Sequence, residues 1–346
     1  MKKVIIYPGG DISYQSFYIY GLEKMFGKMN ISYSSKPFHE LHLETWAKCK
    51  DIFFVIIDEH NHVKRYFISC NDSYQVHDDV WQWTDVYGSV NANFEHTDES
   101  YWSKMVSLCP SFGIRCWSYP MTMVHTLYNN MAHYGTLRHC VGRHLAMMRR
   151  QRYETYNSMS NQSVEFLNSI FFLSTLWYND EWNKNDEGVN KARANFIRAS
   201  QKVANETTLS FEGGFVSQGE GRSSVQLFQD CMYHSLTMDE WLSKTQNSLL
   251  VFNTPAFWNC HGWKLGEYMA MGQCIVSTIL SNDLPSPLNH GEHIHFVENS
   301  EEAMLDAIKY IYSHPEYNQK LRRNIKEYWE KYGTPIASLK LLGITN

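Results

Sequence analysis

The chain has 346 residues, 43% of them hydrophobic and 19% charged, with a formal charge of -5. That length exceeds one ordinary hydrophobic core and predicts two domains, while the composition excludes a disordered or fibrous chain. The acidic balance lacks the basic field that a nucleic-acid partner requires, and the eight cysteines form no Cys-x-x-Cys pair, which speaks against a zinc ribbon or disulfide framework and for reduced thiols.

Lys3 to Tyr7 is an apolar run too short for a secretion signal, and it reads as a first strand that ends at Pro8-Gly9-Gly10. Ser13 to Lys28 follows with helical spacing at Phe17, Tyr20, Leu22 and Met25, so strand, glycine turn and helix open a βαβ unit. Asp51 to Asp58 predicts a buried strand. Glu59 to His62 can turn the chain back into Val63 to Ser69 as a hairpin. Val80 to Trp117 is aromatic-rich without periodicity and reads as loops with short elements, its rings suited either to stacking on sugars or to core packing. Met121 to Asn130 and Leu137 to Tyr156 read as helices, and Asn157 to Ser163 as a linker.

A second α/β unit follows. Strands are expected over Ser169 to Leu176, Thr208 to Phe215, Ser248 to Asn253, Cys274 to Thr278 and Ile294 to Val297. Helices are expected over Asp186 to Ala204, Thr237 to Lys244, Trp263 to Met271, Ser300 to Tyr312 and Pro315 to Tyr332. The alternation predicts an α/β fold of two Rossmann-like, doubly wound parallel sheets, with ligands at the carboxyl ends of the strands. The domains are expected at 1–160 and 161–325, with 326–346 as a tail packing back on the first. No apolar stretch approaches the roughly 18 to 20 residues of a spanning helix.

The most informative span is Leu249 to Thr278, LLVFNTPAFWNCHGWKLGEYMAMGQCIVST. A buried strand runs out at Asn253-Thr254, a loop passes His261 and Gly262, and a helix starts near Trp263 with Glu267 in its first turns. Such a helix start attracts phosphate through its backbone N–H groups and dipole. A carboxylate close behind can accept from a ribose hydroxyl pair; alternatively Glu267 only complements the helix dipole.

Lys264-Leu265-Gly266-Glu267-Tyr268-Met269-Ala270-Met271-Gly272, followed by an apolar strand, resembles the donor-binding signature of the GT-B glycosyltransferases, of the bacterial glycan-synthesis type. Leu288 to Val297 and the helix pair to Tyr332 are similar to the stretches that follow it. The resemblance covers Ser169 to Tyr332, with Met1 to Lys28 weakly similar to the first unit of the family's N-terminal domain. It implies two domains facing a cleft, the first for the acceptor and the second for the nucleotide sugar. It also implies Glu267 on the ribose, Lys264 and the Gly262 loop on the diphosphate, and His261, Asn253 and Thr254 bordering the donor pocket. Lys184 stands in the region where retaining members carry a basic pair, with Lys191 and Arg193 just beyond. Gly9 and Gly10 would form the cleft floor, and Asp11 the base that deprotonates the acceptor. Retaining members carry a Glu eight positions before the ribose Glu, where this chain has Asn259; plant-type inverting members have a His there, and here His261 stands displaced. Retention and inversion both stay open.

The activity implied is hexosyl or deoxyhexosyl transfer from a nucleotide-diphosphate donor to a glycan or lipid-linked acceptor, in polysaccharide biosynthesis. The chain lacks the Asp-x-Asp of metal-dependent transferases, so metal independence is expected, with no cofactor beyond the donor itself. The alternatives are a nucleotide-sugar 2-epimerase of the same fold, or a non-catalytic nucleotide-sugar-binding module. The expected location is cytoplasmic, including the inner face of a membrane. The arginines of Leu137 to Gln151 can meet an anionic membrane or a polyprenyl-diphosphate acceptor, or simply be a solvated face. Asp58-x-His60-x-His62 and the group His290, His293 and His295 read as metal ligands or, more simply, as turn and structural histidines.

Overall fold

The computed structural model describes residues 2–43, 50–133, 137–158, 167–177, 187–217 and 227–345. The chain divides into two compact units, the first made of Met1–Tyr156, Asn282–Pro287 and Trp329–Asn346, the second of Asn157–Ser281 and Leu288–Tyr328. From residue 159 onward the expected linker lies outside the described residues.

The first unit opens with β1 (Lys3–Ile6), α1 (Ile12–Phe26) and β2 (Ile31–Tyr33), a βαβ step in which β1 and β2 pair in parallel. β3 (Ile52–Ile57) and β4 (Val63–Ser69) follow, then α2 (Asp78–Trp83), β5 (Val86–Ser89) and β6 (Met105–Ser107). The sheet order is β2-β1-β3-β4-β5-β6. It is mixed, which corrects the expectation of an all-parallel sheet here: β3 runs antiparallel to both β1 and β4. The reason is connection length, since a parallel return needs a crossover of about a dozen residues and the chain between β3 and β4 is too short for one. The Asp58 carboxylate closes that turn by accepting the N–H groups of His60 and His62 at 2.8 and 2.9 Å, and Asn61 takes φ 63°.

The aromatic stretch expected as loops with short elements supplies α2, β5 and β6, and several of its rings go into the core while Trp102 stays exposed. Trp83 and Tyr87 pack with Tyr7, Phe38, Phe53 and Phe67. β5 and β6 are three or four residues long and, as VYGS and MVS, lie in no continuous apolar run that would mark a buried strand in sequence. The unit continues through α3 (Tyr119–His133), α4 (Leu137–Met148) and α5 (Tyr153–Asn157), the last two standing where one longer helix was expected.

In the second unit the described strands pair in parallel. β7 (Ser169–Thr175), α6 (Glu187–Glu206) and β8 (Ser210–Val216) form one step. α7 (Met238–Gln246), β9 (Val251–Asn253), α8 (Trp263–Ala270), β10 (Ile275–Ser277) and β11 (His295–Phe296) form the next, with β10 between β9 and β11. α9 (Glu301–Ser313) and α10 (Pro315–Tyr328) close the unit. Thr237 and Glu240 start α7 with a reciprocal capping box. The core carries Phe172, Phe196, Phe252, Val276 and Ile308, and the rings of Phe196 and Phe252 stack at 4.5 Å. On β8, Gly213 and Gly214 hold φ of 127° and 148°, and a Cβ on Gly213 would stand 1.9 Å from the carbonyl oxygen of Phe172, so only glycine lets β8 lie this close to β7.

α10 is tied to the amino ends of the strands by a partly buried guanidinium. Arg322 donates to the carbonyl oxygens of Ser248 and Leu249 at 2.6 and 3.0 Å, to Gln273 Oε1 at 3.1 Å and to Asn318 Oδ1 at 2.8 Å. Asn318 Nδ2 adds a bond to the Leu249 carbonyl at 2.7 Å. After α10, a π-turn at Trp329–Gly333 returns the chain to the first unit, where α11 (Pro335–Leu341) packs against α1. Trp329 is fully buried between Phe17 and Phe112, and its indole donates to Tyr153 Oη at 3.0 Å.

Removing Arg322 leaves buried acceptors unsatisfied. Arg322→Ala should therefore lower unfolding free energy in urea by about 2–4 kcal/mol. Arg322→Lys, which keeps the charge and loses the fork, should recover part of that loss. A change under about 0.5 kcal/mol for the alanine variant, the scatter of ordinary surface substitutions, would contradict the role given to this contact.

Candidate functional site

β9 and β10 each end in a short polar run, and the ends are laced together. Asn253 Nδ2 donates to Ser277 Oγ at 3.0 Å, and the hydroxyls of Thr254 and Thr278 meet at 2.8 Å. Asn253 and Thr254, expected to border a ligand pocket, thus hold the carboxyl edge of this sheet in register.

Three charged side chains converge beside that edge. Lys264 is the second residue of α8, and Glu267 lies one turn further on. The Lys264 ammonium donates to the carbonyl oxygen of Leu173 on β7 and stands 5.2 Å over the Phe172 ring. Arg193, buried on α6, donates from Nη1 to the Thr175 carbonyl at 3.2 Å, just beyond Leu173 on the same strand. Burial, followed by the repelling Arg193 guanidinium, pushes the Lys264 ammonium down to about 7 against the opposing pull of the Glu267 carboxylate. Burial, followed by the Glu267 charge, drives the Tyr268 phenol well up. A lysine and an arginine thus act electrostatically on each other beside one buried carboxylate, in a polar niche cut into an otherwise apolar core.

The position of Glu267 separates its two sequence readings. It is the fifth residue of α8, and the helix has no acidic residue in its first turn. Helix-dipole stabilisation falls off within that turn, so the dipole alone does not account for burying this carboxylate.

The loop leading into α8 is built with unusual backbone. Trp258 and Asn259 both hold left-handed conformations, φ 59° and 57°, which non-glycine residues adopt at a cost. Ala256 N–H donates to the Cys260 carbonyl at 2.8 Å, closing the loop on itself, while the Trp258 side chain stays 63% exposed. His261 is buried within it. Gly262 then caps α8 in extended conformation with no side-chain oxygen, and a Cβ there would meet only Ala256 Cβ, at 3.9 Å. The glycine is not forced by packing; it leaves open space at the helix start. A neighbouring clamp fixes the exit of β7, where the Asn190 side chain bonds both backbone groups of Trp177, at 3.0 and 3.4 Å.

Of the residues singled out in the sequence, Glu267, Lys264, Gly262 and His261 therefore belong to one short segment, and Arg193 joins them from α6. Lys184 lies outside the described residues. Gly9, Gly10 and Asp11 belong to the first unit. There Asp11 caps α1 by accepting the Ser13 N–H at 3.0 Å, and its other oxygen pairs with Arg143. The Arg143 partner had no signal in the sequence, being 132 positions away. Gly10 packs on the Gln15 side chain, which is held by the Asp51 carbonyl at 2.5 Å. Beside these residues a small cleft at the carboxyl end of β1 is lined by Tyr33, Trp117, His125 and His144 among others. His125 stacks on Trp117 at 3.7 Å, and burial, followed by repulsion from His144, pushes its imidazole down to about 4.

The remaining histidine clusters are structural. His290 Nδ1 accepts the Phe296 N–H, His293 Nδ1 accepts the Asn289 N–H, and His295 Nδ1 meets Tyr317 Oη at 2.9 Å. Burial, with His290 alongside, pushes His295 down to about 4. Among the described residues no group of three His, Cys, Asp or Glu side chains is placed to hold a metal ion, and no helix is long and apolar enough to cross a membrane.

No protein-family model and no curated protein matches the chain. Solved structures do. Anabaena Alr3699/HepE in complex with UDP and glucose is 10% identical, with a TM-score of 0.44 over 76% of this chain and 64% of that one. A glycosyltransferase from Rickettsia africae is 13% identical, with a TM-score of 0.41 over 78% and 65%. S. aureus MnaA in its UDP co-structure is 12% identical, with a TM-score of 0.40 over 78% and 63%. The chain spans less than two thirds of the length of each. At this identity and overlap the similarity assigns no activity.

The lowered ammonium of Lys264 has a measurable consequence. An unfolded lysine keeps its proton to about pH 10.4, whereas the folded one releases it near 7, so between these values the unfolded state binds more protons and stability rises with pH. The charging penalty is fully present below about pH 7 and is relieved as pH climbs above it. Relative to Lys264→Met, the parent protein should gain up to about 1.4 kcal/mol per pH unit between pH 7 and 9, read from urea unfolding. A pH-independent difference would place the ammonium in water.

Proposed function

We propose that the protein is a glycosyltransferase of the GT-B type that uses a nucleotide-diphosphate sugar and transfers its hexosyl or deoxyhexosyl group to a hydroxyl of a glycan or lipid-linked acceptor. The observation that carries this reading is the Lys264, Arg193 and Glu267 cluster at the carboxyl ends of parallel strands, the edge where open α/β sheets bind ligands. A diphosphate is the ligand whose charge suits two crowded cations. Glu267, one helical turn behind Lys264, suits a ribose hydroxyl pair. The start of α8, capped by Gly262 without a side-chain oxygen, has open space beside it that gives an anion room at the positive end of the helix dipole.

In the reaction, the acceptor oxygen forms a bond to the anomeric carbon of the donor sugar, and the bond from that carbon to the diphosphate oxygen breaks. Its electron pair leaves with the nucleoside diphosphate, and the acceptor hydroxyl gives its proton to a base. Negative charge grows on the leaving diphosphate, so Lys264 and Arg193 act where the transition state differs most from the ground state. They carry the charge that a divalent cation meets in metal-dependent transferases. We assign Asp11 as the base; its carboxylate is held by Arg143 and becomes available when that pair opens. The strained Trp258 and Asn259 backbone suits a loop whose shape is set by a ligand rather than by packing.

A thermal-shift panel of nucleoside diphosphates tests the donor site, because a ligand bound only by the folded state raises apparent stability. At least one should shift the transition, and no shift with any would overturn the proposal. Glu267→Ala should weaken the active nucleotide by roughly ten- to a hundredfold, the worth of one or two hydrogen bonds to a charged group.

Asp11→Asn keeps a good helix cap, so it should leave donor affinity in place and lower kcat by two or more orders of magnitude, as removing a general base does. An unchanged kcat would remove Asp11 from the chemistry. Isomerisation of a nucleotide sugar without any acceptor would instead assign an epimerase.

A further inference from the structure

α3 is built inside out. Its inward side carries Thr122 and Thr126, both fully buried, whose hydroxyls bond back to the carbonyls of Ser118 and Thr122 at 3.0 and 2.8 Å, and His125 stacked on Trp117. The outward side carries Met121, Val124 and Leu127, which are 46%, 56% and 51% exposed. These positions recur every three residues and form one continuous apolar stripe along the helix. Scattered exposed apolar residues are ordinary, but a contiguous face marks a contact surface.

The charge around this face says what covers it. Residues 100–153 contain seven Lys or Arg and no Asp or Glu, although the chain has 36 acidic residues in all. Thr122 Oγ1 touches Met148 Sδ at 3.4 Å, and Arg115 N–H donates to the Gln151 carbonyl at 2.9 Å. The segment with exposed Arg149 and Arg152 therefore borders the first turn of α3. The acids nearest this side are engaged. Glu23 accepts from the Trp117 indole and pairs with Lys28, Glu154 pairs with Lys24 and accepts from Tyr20, and Asp11 pairs with Arg143.

We propose that the outward face of α3 docks on an anionic lipid surface, with Met121, Val124 and Leu127 entering the boundary between headgroups and acyl chains and Arg149 and Arg152 meeting lipid phosphates. An apolar stripe flanked by arginines, on a helix too polar to span, is the pattern of an in-plane membrane contact. Two copies of this face brought together would set one acid-free segment against another with no counter-charge between them.

Flotation of the full-length protein with vesicles tests this. It should float with phosphatidylcholine vesicles containing about 30% phosphatidylglycerol, whose anionic surface attracts basic side chains, and not with pure phosphatidylcholine. Raising the salt should weaken binding through screening. Val124→Gln with Leu127→Gln should reduce it at least about tenfold, consistent with lost apolar burial. Arg149→Glu with Arg152→Glu should remove the preference for anionic lipid. Both variants should keep the parent unfolding midpoint and nucleotide thermal shift, which separates this surface from the donor site.

Failure of the parent protein to float would overturn the proposal, as would flotation insensitive to the Gln pair. A concentration-dependent dimer in analytical ultracentrifugation, abolished by the same pair, would assign the face to a second copy instead.

Discussion

The second unit depends on how it treats two of its desolvated cations. Arg322 sits at the amino ends of β9 and β10 with its donors taken up by carbonyl and amide oxygens. Lys264 sits at the opposite edge with a carbonyl, a ring face, a repelling guanidinium and a single carboxylate. Desolvation costs both, but only the first is compensated within the fold by matched hydrogen bonds. The sheet is therefore anchored at one end and electrostatically unsettled at the other. That asymmetry, more than any single residue, marks the carboxyl edge as the place where an anion would relieve the protein.

Legibility in the sequence followed element length and periodicity. Long, buried or strongly periodic elements such as β4, β7, α8 and α9 stand within a residue or two of where their apolar spacing put them. β2, β5 and β6 escaped because, unlike the equally short β1, β9 and β10, they stand in no continuous apolar run, and the aromatic stretch hid α2 because its rings face a core shared with β3 and β4. The reversal of β3 was implicit in the short turn at Asp58, yet it mattered for the whole sheet, since one hairpin turns a parallel sheet into a mixed one.

The candidate site was half legible. Glu267, Lys264 and Gly262 lie within six residues, so their proximity needs no knowledge of the fold. The approach of Arg193 from α6 and the pairing of Asp11 with Arg143 are tertiary facts that no local pattern encodes. The arginines of α4 and its neighbours were visible as a charge pattern. What they accompany, the outward apolar stripe of α3, was not, because a helix with apolar residues at regular spacing reads as packing inward. Here threonines and a histidine took the inner side.

Trp329 has a consequence for how the chain acquires its shape. The aromatic centre formed by Phe17, Phe112 and Tyr153 receives its tryptophan from a residue more than 170 positions downstream, seated where Gly333 leaves room for the indole. During synthesis the amino-terminal half emerges first but lacks this piece until ribosomes have passed the second unit. The intervening unit, whose described strands are parallel and whose residues run from Asn157 with one short interruption to Tyr328, can close on itself beforehand. The order of translation and the order of completion are thus reversed in this protein: the half made first is the half finished last.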